Sequence, residues 1–154
     1  MDIKVALKQR HSKTPVQSPK RVLVVDDEPT IRELIADALR EFGYQIETAP
    51  NGAEALEIMH RWLPDAIVLD LMMPRLNGDA FAELVRLNPA FAAVPVLLVT
   101  AAYGAQESAA RIGARACLTK PFELDRLVEL VGELTEPMLP LPSESAESLT
   151  GNAC

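Results

Sequence analysis

Val22-Leu23-Val24-Val25-Asp26-Asp27-Glu28-Pro29 is the stretch on which the fold of this chain turns. Four unbroken apolar residues run into three acids and a proline. A short Val/Leu run without alternation reads as a parallel strand buried on both faces. Pro29 suits the first turn of a helix. Beyond it, Ile31, Leu34, Ile35, Ala38, Leu39 and Phe42 form a stripe of helical period that stops at Gly43. The stretch is therefore a strand, an acidic turn and an amphipathic helix in succession.

The same pattern recurs along the chain. Strands are expected at 21–26, 44–48, 65–70, 94–100 and 115–119. Helices are expected after Pro29, at 52–62 behind Asn51-Gly52, at 78–88 and at 104–112. A last helix carries Leu124, Leu127, Val128, Val131 and Leu134 on one face. Connections this short between parallel strands imply right-handed crossovers with helices on both faces of the sheet. The expected fold is α/β, a doubly wound five-stranded parallel sheet.

With 154 residues, 49% of them hydrophobic, the chain suits one domain with a modest core. Residues 1–20 are polar and basic with Pro15 and Pro19, and are expected to form a disordered arm. The folded domain spans 21–134. Residues 135–154 lose periodicity, carry Pro137, Pro140 and Pro142 with a Ser/Glu-rich end, and are expected to form a disordered tail with no second domain. Residues 1–21 hold six Lys/Arg against one Asp, while the whole chain has a net charge of −7. The acidic balance of the domain argues against direct nucleic-acid binding. Two cysteines, Cys117 and Cys154, are too few for a disulfide framework and lack metal-ligand spacing, so a cytoplasmic setting is expected. No apolar stretch is long enough to span a membrane, and no secretory signal is legible.

In an open parallel sheet, chemistry gathers at the carboxyl ends of the strands, where strand order reverses. Asp26 and Asp27 close the first run, Asp70 closes Ala66-Ile67-Val68-Leu69, Thr100 closes Val94–Val99, and Lys120 follows Cys117-Leu118. Three clustered carboxylates repel one another unless a cation joins them. Oxygen-only ligands suit Mg²⁺, not zinc. His11 and His60 lie in the arm and in a helix, away from these ends. A carboxylate beside Mg²⁺ and an ammonium can attack a phosphoryl group, and a hydroxyl at the same rim can hydrogen-bond the product. Singly, each of these residues is an ordinary turn or strand-end residue; their joint placement is what points to chemistry.

The strings VLVVDDEP, VLDLMMPRLNG, LLVTA and CLTKPF, with intervals of 43 residues from Asp27 to Asp70, 30 to Thr100 and 50 to Lys120, resemble the response-regulator receiver domain of two-component signalling. The resemblance covers residues 21–134. It implies a flavodoxin-like sheet in the order 2-1-3-4-5. It implies that Asp70 accepts a phosphoryl group from a sensor histidine kinase or a phosphotransfer protein. Asp27, Asp70 and the backbone carbonyl of Met72 would bind Mg²⁺, with Asp26 acting through water. Thr100, Ala101 and Lys120 would hold the phosphate, and the Lys120–Pro121 bond would be cis. The face of the fourth helix, fifth strand and fifth helix would then meet a downstream protein target, with the chain a monomer or a weak phosphorylation-dependent dimer.

Two positions depart from or vary within the family pattern. Cys117 stands where the family usually has an aromatic that swings as the threonine moves, and a small side chain cannot do so; Tyr103 is a candidate substitute. Met72 and Ala102 sit where family side chains flank the attacking water, and neither can orient it by hydrogen bonding, which implies slow loss of phosphate. The chain is not a conventional enzyme on this reading. A haloacid-dehalogenase-type phosphatase would need Asp-x-Asp after the first strand, whereas Asp26 and Asp27 are adjacent. The other alternative is a degenerate receiver that serves only as a protein-binding module.

Overall fold

The computed structural model describes residues 18–73, 77–101 and 104–136. Its apolar runs form strands β1 (Arg21–Val25), β2 (Gln45–Ala49), β3 (Ala66–Leu69), β4 (Val96–Thr100) and β5 (Ala116–Thr119). The helices between and after them are α1 (Pro29–Glu41), α2 (Gly52–Arg61), α3 (Gly78–Leu87), α4 (Ala105–Ile112) and α5 (Leu124–Thr135). The strands make one parallel sheet in the order β2-β1-β3-β4-β5, as expected.

The order reverses at β1. The chain steps from β1 outward to β2, then returns past β1 to β3, so the turns after β1 and β3 open side by side onto one crevice. Successive side chains on a strand point to opposite faces. Leu23, Val25, Ile67, Leu69 and Leu98 pack with Ala55, Met59, Phe81, Val85 and Ile112 of α2, α3 and α4. Val22, Val24, Val68, Leu97 and Val99 pack with Ile35, Leu39, Leu127 and Val131 of α1 and α5. Two cores on one buried sheet explain why its strands carry no polar alternation.

Helix starts follow local chemistry. Pro29 opens α1. The Asn51 side chain accepts from the Glu54 N–H at 2.9 Å and donates back to the Glu54 carboxylate at 3.0 Å, a reciprocal cap for α2. Asn77 caps α3 by accepting from the Ala80 N–H at 3.0 Å.

Beyond shifts of one residue at element ends, three details differ from the sequence reading. β4 begins at Val96 and not at 94, because Pro95 has no N–H for a ladder; its carbonyl still accepts from the Ile67 N–H at 3.0 Å. Leu34, read as part of the core stripe of α1, is 48% exposed. Thr135, read as the start of the tail, is the buried last residue of α5. The remainder of the expected arm and tail, residues 1–17 and 137–154, lies outside the described residues.

Thr135 has a specific partner. Its hydroxyl donates to the Val131 carbonyl at 2.9 Å, so the buried Tyr44 phenol 3.3 Å away is left to donate to the Thr135 oxygen. Burial holds the Tyr44 pKa above its ordinary value, only partly opposed by the Thr135 hydrogen bond. A raised folded-state pKa means that the stabilising neutral form is complete below the unfolded-state value and lost as pH climbs through the folded one. Stability should therefore fall as pH rises past about 10. Tyr44→Phe should flatten that alkaline slope and cost about 1 kcal/mol at neutral pH, both readable from urea unfolding at a series of pH values.

Candidate functional site

Parallel register carries the ends of four strands to one rim. Val25 pairs with Leu69, so Asp26 and Asp70 leave adjacent strands at the same level, and the Asp70 N–H donates to the Val25 carbonyl at 3.0 Å. Thr100 pairs with Thr119, and the Lys120 N–H donates to the Thr100 carbonyl at 3.1 Å. The Lys120–Pro121 bond is cis.

Asp26, Asp27 and Asp70 each offer a carboxylate oxygen, and these oxygens all lie within 4.8 Å of one another. Lys120 reaches into the group. Its Nζ is 3.2 Å from Asp26 Oδ2 and 3.4 Å from Asp70 Oδ2. Asp26 is 2% exposed and Asp70 5%, so the two carboxylates meet the ammonium largely out of water. Thr100 is fully buried at the same edge.

The electrostatics follow from that burial. Burial pushes the Asp70 pKa above the ordinary carboxylate value; Lys120 and the Met72 N–H, which donates to Asp70 Oδ1 at 3.2 Å, oppose the rise without cancelling it, and Asp26 adds to it. For Lys120, burial acts to lower the pKa, but the carboxylates of Asp70 and Asp26 outweigh it and hold the ammonium above its ordinary value. The site thus contains a buried carboxylate whose charge is disfavoured and an ammonium whose charge is firmly kept.

The donor set fits a hard divalent cation. It is all oxygen, it carries three carboxylates against one ammonium, and no histidine or cysteine belongs to the group. His60 sits on α2 with its ring 5.2 Å from that of Phe91, inside a packing contact.

The remaining expected residues are more dispersed in role. Met72 is exposed, just after Asp70, and Ala101 is exposed just after Thr100. Cys117 is buried in β5 opposite Leu98, with its sulfur 4.0 Å from the Ala105 carbonyl oxygen at the start of α4. Ala102 and Tyr103 lie outside the described residues.

Three contributors had no role in the sequence reading. Glu28 places its carboxylate 3.8 Å from Lys120 Nζ and donates its N–H to Asp26 Oδ1 at 2.9 Å. Arg32 donates to the Asp26 carbonyl at 2.9 Å, one helical turn beyond Glu28. Gly78 presses its backbone on the segment after Asp70: a Cβ there would stand 2.6 Å from Leu71 Cα and 2.7 Å from the Asp70 carbonyl oxygen. The Glu28/Arg32 spacing of four suggests only a pair along the helix, not the contacts these residues make with Lys120 and the Asp26 carbonyl. The close approach at Gly78 was not, since Asn77-Gly78 reads equally well as an ordinary helix start.

Comparison with known proteins agrees with this geometry. The family model for the response regulator receiver domain matches residues 22–132. The response regulator MprA of Mycobacterium leprae is 39% identical over 131 residues, covering 84% of this chain and 56% of that protein. The probable transcriptional regulatory protein TcrX of Mycobacterium tuberculosis is 40% identical over 113 residues, covering 71% of this chain and 47% of that protein. The chain thus spans about half the length of these curated relatives. Among solved structures, a putative response regulator from Chloroflexus aurantiacus superposes with a TM-score of 0.73 at 33% identity, covering 77% of this chain and 98% of that one. The chemotaxis response regulator CheY4 of Vibrio cholerae gives 0.71 at 30% identity, covering 76% and 99%. Sheet order, acidic crevice and a family match over most of the chain agree: this chain belongs to the response regulator receiver domain family.

Proposed function

We propose that this receiver domain is a phosphorylation-controlled switch in which Asp70 is the phosphoacceptor. The observation that carries the reading is Lys120 bridging Asp26 and Asp70 inside the three-carboxylate cluster. An Asp70 carboxylate oxygen attacks the phosphorus of a phosphohistidine on a sensor kinase or phosphotransfer protein. The P–O bond forms as the P–N bond breaks, and the imidazole leaves with the bonding pair and takes a proton. Burial raises the energy of the Asp70 charge, which favours spending that charge on a bond. Lys120 is already within contact distance of Asp70 and meets the negative oxygens of the incoming group. Thr100 and Ala101 stand at the rim to hold the bound phosphate.

Asp27, Asp70 and the Met72 carbonyl would hold Mg²⁺, with Asp26 acting through water. When bound, the ion neutralises charge on the transferring phosphoryl oxygens. Binding to the folded chain alone stabilises it, so Mg²⁺ at ten times its dissociation constant should add about 1.4 kcal/mol. That is a rise of roughly 4–8 °C in melting temperature for a domain of this size. EDTA should reverse the rise and Asp27→Asn should abolish it, as read by calorimetry.

The domain transfers a phosphoryl group only to itself and so is not a conventional enzyme. Its output is a changed protein-binding face on α4, β5 and α5, read by a downstream protein and not by nucleic acid, in the cytoplasm. Among the described residues no helix is long and apolar enough to cross a membrane. Incubation with acetyl phosphate and Mg²⁺, followed by intact mass, tests the proposal. A phosphoryl adduct on Asp70 supports it. Steady hydrolysis of phosphomonoesters would support a phosphatase instead, and no adduct from any donor a pure binding module.

The phosphorylated state should be long-lived, because the exposed Met72 side chain offers no hydrogen bond to a water approaching the phosphate. Met72→Asn should speed the loss of phosphate about two- to ten-fold, the worth of one added hydrogen bond. Timed mass measurement after removal of the donor reads this directly, and equal lifetimes would count against the assignment.

A further inference from the structure

The helix α4 is weakly rooted. It has eight residues, and those it buries are Ala105, Ser108 and Ile112, with one large side chain among them. Glycines in the left-handed region bound it on both sides, Gly104 at φ 72° and Gly113 at φ 75°. Side-chain-bearing residues resist that conformation, so both joints are built for chain reversal.

What ties α4 down on its outer side is a bracket from α3. Arg111, in the last turn of α4, donates through Nη2 and Nε to Asp79 Oδ1 at 2.6 and 3.1 Å. Its Nη2 also lies 3.4 Å from Ser108 Oγ. Arg86, in the last turn of α3, donates to the Arg111 carbonyl at 3.0 Å. Asp79, Arg86 and Arg111 line a cleft of about 330 Å³ between the two helices.

The position of Asp79 gives the bracket its meaning. It follows Gly78, whose backbone presses on Leu71 and the Asp70 carbonyl. Asp79 thus stands one residue from the backbone contact with the segment after Asp70. From the other side, α4 begins five residues after Thr100. Both ends of the phosphate site thus lead to the same short helix.

We infer that the Asp79–Arg111 ion pair is a latch that holds α4 on α3 in the resting chain and resists its displacement when Asp70 is phosphorylated. The inference rests on the switch reading above. The pair is half exposed, so the latch is light: breaking it changes the α4 equilibrium by about two- to five-fold. A restraint of that size biases a two-state helix without locking it.

Hydrogen exchange of the full unphosphorylated chain tests the latch. In Asp79→Asn, amides of 105–112 should exchange about two- to five-fold faster, although residue 79 lies outside α4. Arg111→Gln should do at least as much. The double variant should exchange no faster than Arg111→Gln alone, because one interaction cannot be lost twice. The same Asp79→Asn variant should take phosphate from acetyl phosphate faster by a comparable factor. Unchanged α4 exchange in Asp79→Asn overturns the latch, as do effects that multiply in the double variant. Faster exchange with an unchanged phosphorylation rate overturns its role in the switch. If wild-type chain takes no phosphate, the phosphoacceptor reading is what fails, and the exchange measurements still decide the latch.

Discussion

Asp70→Asn should abolish the phosphoryl adduct altogether, leaving the intact mass unchanged after exposure to acetyl phosphate and Mg²⁺ that modifies the wild-type chain. The amide cannot serve as the nucleophile. The substitution should have a second, opposite effect. The Asp70 pKa is raised in the fold, chiefly by burial. The folded chain then holds its proton more tightly than the unfolded chain does, so this group's contribution to stability falls as pH rises from the ordinary carboxylate range to the folded value. At neutral pH the charge is a net cost, and Asn removes it. In metal-free buffer the inactive variant should melt no lower than wild type and above it if Lys120 is satisfied by Asp26 alone. A phosphoryl adduct surviving in Asp70→Asn would displace the phosphoacceptor to another residue, and a large drop in its melting temperature would contradict the electrostatic argument.

Gly78→Ala is expected to destabilise the domain and slow its phosphorylation together. The added carbon would meet Leu71 Cα and the Asp70 carbonyl oxygen, both backbone, and backbone cannot swing aside as the end of a side chain does. Overpacking of this kind costs about 1–3 kcal/mol, against which the better helix propensity of Ala recovers at most about 1. A lowered urea midpoint with an unchanged slope should result. Because the displaced atoms belong to Asp70 and the residue after it, the rate of phosphorylation should fall as well, by about ten-fold or more for a shift near 1 Å. A variant as stable and as fast as wild type would show that the close approach is not needed.

These two residues mark where sequence reading succeeds and where it stops. The place of Asp70 at the rim was legible because it ends an apolar run, parallel strands end on one rim, and a second run ending in Asp26-Asp27 neighbours it. Lys120 and Thr100 were legible on the same ground. Gly78 was not, because a glycine beside Asn is ambiguous until the opposing backbone is in place. Leu34 shows a related failure. Its spacing belongs to the α1 stripe, yet the helix is rotated so that Ile35 and Leu39 face the sheet and Leu34 is left at the margin. The partnership of Asp79 with Arg111 also had no signal, since charged residues on exposed helix faces are common and their pairing depends on how α3 and α4 lie together.

The sequence by itself determined the alternation of strands and helices and the parallel character of the sheet, which follow from periodicity and short connections between residues close in the chain; the strand order came from the resemblance of its motifs to the receiver family. Only the tertiary structure decided that the Lys120 ammonium bridges Asp26, 94 residues away, and Asp70, 50 away, that Gly78 packs on the segment after Asp70, and that Asp79 pairs with Arg111 of α4. Contacts of that range are set to within an ångström by sheet register and helix packing, and no local pattern encodes a distance that two cores must fix together.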